Sequence, residues 1–324
     1  MRKVLIKIIL VIGLPVGFSI FYYDKLTVYY EGRTTLGRKM DHLYQSDDKP
    51  DIIFLGSSRV LNDIDPDIID KVCGKRSYNL GAEMEGVAEM RMLLSVCLER
   101  GKVPQWLVVN IDPSSFQVDV PIYDFPDLLF YADKDTVVYN RMAGIQDVYT
   151  YKWKYPFYRL QQLTSVNDGF KVHALVKTKK AFGQEIREMD ADPRSVDHAN
   201  GFLAHYDHYG ETYVNPFNET FQEEGFDLLQ DIVDTCRQRR IKLVFITAPM
   251  YFVYRETFLN SSAVLSRVSE LARRDSVPYF NMIDDSLLSR HKEDFFNFVH
   301  LNGWGAEKFS FELAQLLKGV GTNY

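Results

Sequence analysis

Cysteine is scarce in this chain, an excess of positive charge is missing, and long apolar runs are missing with one exception. Cys73, Cys97 and Cys236 form an odd set with no Cys-x-x-Cys spacing, which excludes a disulfide framework and a thiolate zinc site. A single disulfide stays open, although Cys97 and Cys236 fall in amphipathic helical stretches that bury their thiols. Lys and Arg number 38 against 44 Asp and Glu, for a formal charge of −6. That acidic excess excludes a nucleic-acid partner held mainly by phosphate contacts. What is there is ordinary globular material: 324 residues, 46% apolar and 25% charged, enough for one large domain or two small ones with a sizeable core.

The exceptional apolar run is at the N-terminus. Arg2, Lys3 and Lys7 precede Ile8 to Tyr23, which closes on the aromatic pair Tyr22 and Tyr23. The run approaches the roughly 20 residues that cross a bilayer, and tyrosines suit the interface. No small-x-small cleavage pattern precedes Asp24, so residues 1–24 read as an uncleaved anchor, with a cleaved signal or a docked core helix as the alternatives. The basic residues lie on the N-terminal side, which puts the N-terminus in the cytoplasm and the body of the chain outside, in the periplasm or beyond the cell.

After a polar stalk over residues 25–50, apolar strand-like runs alternate with helical patterns, the signature of a parallel sheet covered on both faces. The strands expected are Asp51 to Leu55, Ser77 to Leu80, Trp106 to Ile111, Lys242 to Thr247 and Val277 to Met282. Asp65 and Pro66 read as the cap and first turn of one helix, and further helices cover Val87 to Arg100, Glu223 to Arg239, Ala263 to Arg274 and Ala306 to Lys318. This predicts a three-layer α/β/α sandwich around a mainly parallel five-stranded sheet, formed by residues 51–112 and 222–324. Residues 113–221 are too long for an ordinary loop and read as an inserted lid or subdomain. Their aromatic cluster (Tyr149, Tyr151, Trp153, Tyr155, Phe157, Tyr158) reads as core or as an acyl-chain or carbohydrate surface.

Two segments carry the chemistry. Ile52-Ile-Phe-Leu-Gly-Ser-Ser58 is a buried-strand run that stops at a glycine and delivers a serine, the geometry that lifts a hydroxyl out of a sheet edge. Asn297-Phe-Val-His-Leu-Asn302 supplies a histidine just ahead of the last helix. Between them lie Asn79-Leu-Gly81 followed by Gly86, and the strand end Val108-Val-Asn-Ile-Asp-Pro113.

Together these blocks resemble those of the SGNH (GDSL-like) hydrolases, in particular the membrane-anchored kind associated with envelope polysaccharide O-acylation and D-alanylation. The resemblance covers the sheet domain and implies a flavodoxin-like fold. It implies Ser58 as nucleophile, with its own N–H and that of Gly81 as oxyanion donors, and His300 as base. The chain departs from the pattern in three places. Ser57 stands where the first block has an acid, and Asn110 is a poor match to the third-block asparagine, with Asp112 the better-placed polar group. Asn297 stands where the triad acid belongs, three residues before His300. An amide there offers no negative charge, so Asp294, or else Asp284 or Asp285, becomes a candidate for a displaced acid. His198, His205 and His208, with Asp197 and Asp207, raise the question of a metal, but His205-x-x-His208 matches no strong ligand spacing. The alternation with Tyr206 and Tyr209 reads as a surface loop or a substrate contact.

The function so implied is an extracytoplasmic serine esterase or O-acyltransferase acting on acyl groups of an envelope glycan, without metal or cofactor. Its partners would be that glycan or acyl ester, the membrane, and a multi-pass membrane-bound acyltransferase. The alternative is a catalytically degenerate binding or assembly component of an envelope polysaccharide pathway.

Overall fold

The computed structural model describes residues 7, 9–14, 17, 35–83, 86–118, 128, 131–132, 134–145, 194–209, 215–218, 220–253 and 257–321. In chain order these form α1 (Thr35–Gln45), β1 (Ile52–Leu55), α2 (Ser58–Asp63), α3 (Pro66–Cys73), β2 (Ser77–Asn79), α4 (Val87–Glu99), β3 (Trp106–Asn110), a 3-10 turn (Pro113–Phe116) and α5 (Thr136–Ile145). There follow β4 (Ser195–Asp197), β5 (Leu203–His205), α6 (Glu223–Arg239), β6 (Lys242–Thr247), α7 (Ser261–Asp275), β7 (Tyr279–Asn281) and α8 (Gly303–Gly321). Most of the expected anchor and of the expected lid lies outside the described residues. Among the described residues no helix is long and apolar enough to cross a membrane.

The chain divides into two compact units, Met1–Asp41 with Asp124–Ala191, and His42–Tyr123 with Asp192–Tyr324. In the first, the buried Tyr131 donates its hydroxyl to Asp41 Oδ1 at 2.7 Å. The second holds the sheet. Residues 113–123 and 192–221 cluster with it. The stalk expected over 25–50 contains a helix, α1, whose Leu36, Met40 and Leu43 are buried at i, i+4 and i+7.

β1, β2, β3, β6 and β7 make one parallel sheet in the order β2-β1-β3-β6-β7. All four residues of β1 and all five of β3 are buried, as a strand covered on both faces requires. Alternate residues separate by face. Ile52, Phe54, Trp106, Val108, Val244 and Ile246 join Ile69 of α3 and Phe309, Leu313 and Leu317 of α8 in one core. Ile53, Leu55, Leu107, Val109 and Phe245 are buried on the opposite face, where α4 and α6 pack on each other.

Helix ends follow from local chemistry. Asp65 caps α3 by accepting from the Asp67 N–H at 2.9 Å, Pro66 occupies the first turn, and Gly74 closes the helix at φ +65°. The chain runs from β1 to the β2 edge and then returns past β1 to β3. The switch point therefore lies between β1 and β3, where ligands of open α/β sheets bind outside the strand carboxyl ends.

Candidate active site

β1 ends at the switch point, and Gly56-Ser57 turns the chain into α2, of which Ser58 is the first residue. The turn is tight. A side chain at Gly56 would lie 2.4 Å from Val60 Cγ2, and one at Gly81 would lie 2.5 Å from both Leu61 N and Val60 Cβ. Both glycines are thus required by the close approach of α2. Ser57 is the cap: its Oγ accepts from the Arg59 N–H and donates to Asp112 Oδ2 at 2.5 Å. As the first residue of α2, Ser58 has no acceptor for its N–H within the helix.

His300 reaches this point from a loop just before α8. Its Nε2 lies 2.7 Å from Ser58 Oγ, across 242 residues of sequence. Three anchors hold the loop. Leu301 donates its N–H to Asp63 Oδ1 of α2 at 2.9 Å. Asn302 donates from Nδ2 to the Glu293 carbonyl at 2.7 Å and accepts the Gly305 N–H at 3.0 Å, which caps α8. Asn297 Oδ1 accepts the N–H groups of Val299 and His300 at 2.9 and 3.0 Å. The amide of Asn297 thereby faces the imidazole, with Nδ2 2.9 Å and Oδ1 3.1 Å from His300 Nδ1. The Phe296 ring stacks against His300 with centroids 5.3 Å apart, and His205 lies 4.3 Å beyond Phe296. Burial, followed by the charge of Arg59, pushes the His300 pKa down from 6.5 to about 3. The imidazole is neutral at neutral pH, the state a general base needs.

Beneath Ser58 lies a buried charge network that sequence reasoning did not assemble. The Arg59 side chain, 3% exposed, donates to Asp112 Oδ1 and to the carbonyls of Ala248 and Pro249, the last at 3.0 Å. Asn110 donates to Asp112 Oδ1 at 2.9 Å and accepts the Ala248 N–H at 2.8 Å. Asp112 thus brings a carboxylate to Ser57 from the end of the neighbouring strand. Asp63 is buried too, and desolvation raises its pKa well above the usual carboxylate range despite Arg59. Arg59 Nε and Asp63 Oδ2 stand 4.0 Å apart, neither of them hydrogen-bonded. The signal in the sequence was the arginine directly after the candidate nucleophile.

Several expected residues have other tasks. The Gly81 N–H, expected in the oxyanion hole, donates to Asn79 Oδ1 at 2.9 Å instead. Asn79 Nδ2 in turn holds the end of α2 through the carbonyls of Val60 and Ile64 at 2.6 and 2.9 Å. Asp294, expected as a displaced acid, is taken by Lys308 Nζ at 2.7 and 2.8 Å. Asp285 accepts the Leu287 and Leu288 N–H groups in the turn after β7. The histidine segment forms a hairpin, β4–β5, rather than a surface loop, and Phe202 and Ala204 enter the sheet core. His205 bonds Ser195 Oγ through Nδ1 at 2.7 Å, His208 stacks on Trp304, and Asp207 pairs with Arg194 at 2.7 Å. Among the described residues no three His, Cys, Asp or Glu side chains are grouped to hold a metal ion.

No protein-family model matches the chain, and no curated protein sequence does. Solved structures give remote likenesses. A provisionally assigned acylhydrolase from Bacteroides fragilis aligns with TM-score 0.40 and 10% identity over 86% of this chain and 96% of that one. A provisionally assigned platelet activating factor from Streptococcus pneumoniae gives 0.43 and 12% over 95% and 98%. A GDSL-like lipase from Bacteroides thetaiotaomicron gives 0.40 and 8% over 89% and 100%. With scores this low, the chemistry rests on the geometry of Ser58 and His300.

Proposed function

We propose that this protein is a serine esterase or O-acyltransferase of the SGNH kind, and that it works through an acyl group carried on Ser58. The observation that carries this reading is the 2.7 Å separation of Ser58 Oγ and His300 Nε2 at the switch point of the sheet. Ser58 Oγ attacks the ester carbonyl while its proton passes to Nε2. The Oγ–C bond forms, the C–O bond to the leaving alcohol breaks, and that alcohol takes the proton from Nε2. Water or a sugar hydroxyl then gives its proton to Nε2 and attacks the acyl carbon, and Ser58 leaves with that proton. Water makes the reaction hydrolysis, and a sugar hydroxyl makes it transfer. The Ser58 N–H is the oxyanion donor in this scheme.

The finer parts of the reading are an envelope glycan as acyl donor or acceptor and an extracytoplasmic site. They are supported by the basic residues and apolar run at the N-terminus. They are supported also by Trp304, 43% exposed four residues after His300 and stacked on His208, since a flat aromatic face suits a sugar ring. A multi-pass membrane-bound acyltransferase is the acyl-delivering partner that fits such an enzyme.

A serine-reactive fluorophosphonate tests the reading. We expect labelling of the full chain that Ser58→Ala abolishes and His300→Ala strongly reduces. Labelling that survives Ser58→Ala overturns the proposal, as does its absence from both the wild type and Asn297→Asp. The second outcome favours a binding role for the site.

A further inference from the structure

Neutral histidine has two tautomers, and only the one with a bare Nε2 can take the proton of Ser58. The neighbours of His300 bear on which one rests in this site. Asn297 Oδ1 already accepts two backbone N–H groups, from Val299 at 2.9 Å and His300 at 3.0 Å. These two donors fix the amide, because turning it over would point an NH2 group at two N–H groups. With the oxygen so held, Nδ2 is the Asn297 atom nearer to His300 Nδ1, 2.9 Å against 3.1 Å. An amide nitrogen only donates. A protonated Nδ1 would set two donors head to head at that distance, and its one acceptor on the amide would be Oδ1, which is farther at 3.1 Å and already takes two backbone N–H groups. A bare Nδ1 accepts from Nδ2 and leaves the ring proton on Nε2, where Ser58 Oγ at 2.7 Å takes it.

We propose that Asn297 is a positioning residue that holds His300 in the Nε2–H tautomer, so that at rest the imidazole donates to Ser58 and does not accept from it. A carboxylate in the same place would keep the two backbone N–H bonds on one oxygen. Its second oxygen, replacing Nδ2, would accept Nδ1–H and bare Nε2. The single change of NH2 for O at this atom reverses the direction of the Ser58–His300 bond. Acylation in the wild type then waits on the minor tautomer. The corresponding tautomer error in a serine protease costs about 10⁴-fold in turnover.

The tautomer itself is independent of whether Ser58 becomes acylated, whereas its effect on rate rests on the acyl-transfer reading. Long-range nitrogen–proton NMR correlations on the full chain with 15N-labelled histidine separate the two. The chain has seven histidines, and His300→Gln identifies the His300 signals by their loss. We expect the Nε2–H pattern in the wild type and the Nδ1–H pattern in Asn297→Asp. Ser58-dependent fluorophosphonate labelling should become faster in that variant, by up to about 10⁴-fold. An Nδ1–H pattern in the wild type overturns the proposal without recourse to any variant. A tautomer switch with no gain in labelling upholds the assignment of Asn297 and counts against the acyl-transfer reading.

Discussion

At the scale of single residues, the site couples an unusually weak base to an uncharged partner. His300 is desolvated, and the Arg59 charge adds to that effect, so its protonated form appears only near pH 3. Protonation removes the base, and a depressed pKa therefore moves the acid limb of kcat/KM to lower pH. With an uncharged ester substrate, kcat/KM of the wild type should hold steady through pH 6.5, where an unperturbed histidine would titrate, and fall only below about pH 4. Asn297→Asp sets a negative charge beside Nδ1, which favours the imidazolium and should shift that limb upward. A wild-type limb at about pH 6.5 would show that the imidazole is solvated during turnover. The residues carrying these effects differ in legibility. Ser58 and His300 stand out because a serine after a strand-ending glycine and a histidine before the last helix are local patterns. The roles of Asp112 and Asp63 depend on contacts across 53 and 238 residues, to the Arg59 side chain and the Leu301 backbone N–H, which no local pattern records.

At the scale of elements, the six-residue α2 is the hub. Ser58 and Arg59 sit in its first turn, and Asp63 at its end holds the His300 loop. The Arg59 guanidinium joins the end of β3, through Asp112, to the segment after β6. Arg59→Met keeps most of the volume but leaves two buried carboxyls without their cation. Loss of one partner of a buried pair costs about 3–5 kcal/mol, and chemical denaturation should show a loss of that size. Arg59→Met with Asp112→Asn should recover part of it, whereas full additivity would mean that the two side chains do not act as a pair. The strands of the sheet were legible because strands buried on both faces read as continuous apolar runs, as in Trp106-Leu-Val-Val109. α2 was not, since six residues are too few to show a helical period. Nor was the β4–β5 hairpin, whose strands are three residues each. α1 lay concealed in the expected stalk, where Arg38, Lys39 and Asp41 interrupt the buried Leu36, Met40 and Leu43.

At the scale of the whole molecule, the chain leaves one compact unit and re-enters it, so the sheet unit is closed by residues from both sides of the interruption. α8, from the far end of the chain, packs on α2 and α3 from the near end. The chain divides into two compact units, and thermal unfolding should show more than one transition. Leu313 of α8 is fully buried in the sheet core, and Leu313→Ala, at a cost of about 2–5 kcal/mol, should lower only the transition in which Ser58 labelling disappears. A single transition shifted as a whole would mean that the two units unfold together.

The edge of the sheet at β2 has a further consequence. The Asn79 N–H of that strand donates to the carbonyl of Asn200 at 2.9 Å, in the turn of the β4–β5 hairpin. An open strand edge is a template on which another chain can add itself. Here the hairpin turn occupies the last rung of the template, beside the β-strand end that leads to Gly81. The same short hairpin that brings His205 to the Phe296 ring therefore also takes up a hydrogen-bonding position on the β2 edge that another chain would need. Loss of the hairpin would free that edge position and also strip Phe202 and Ala204 from the core.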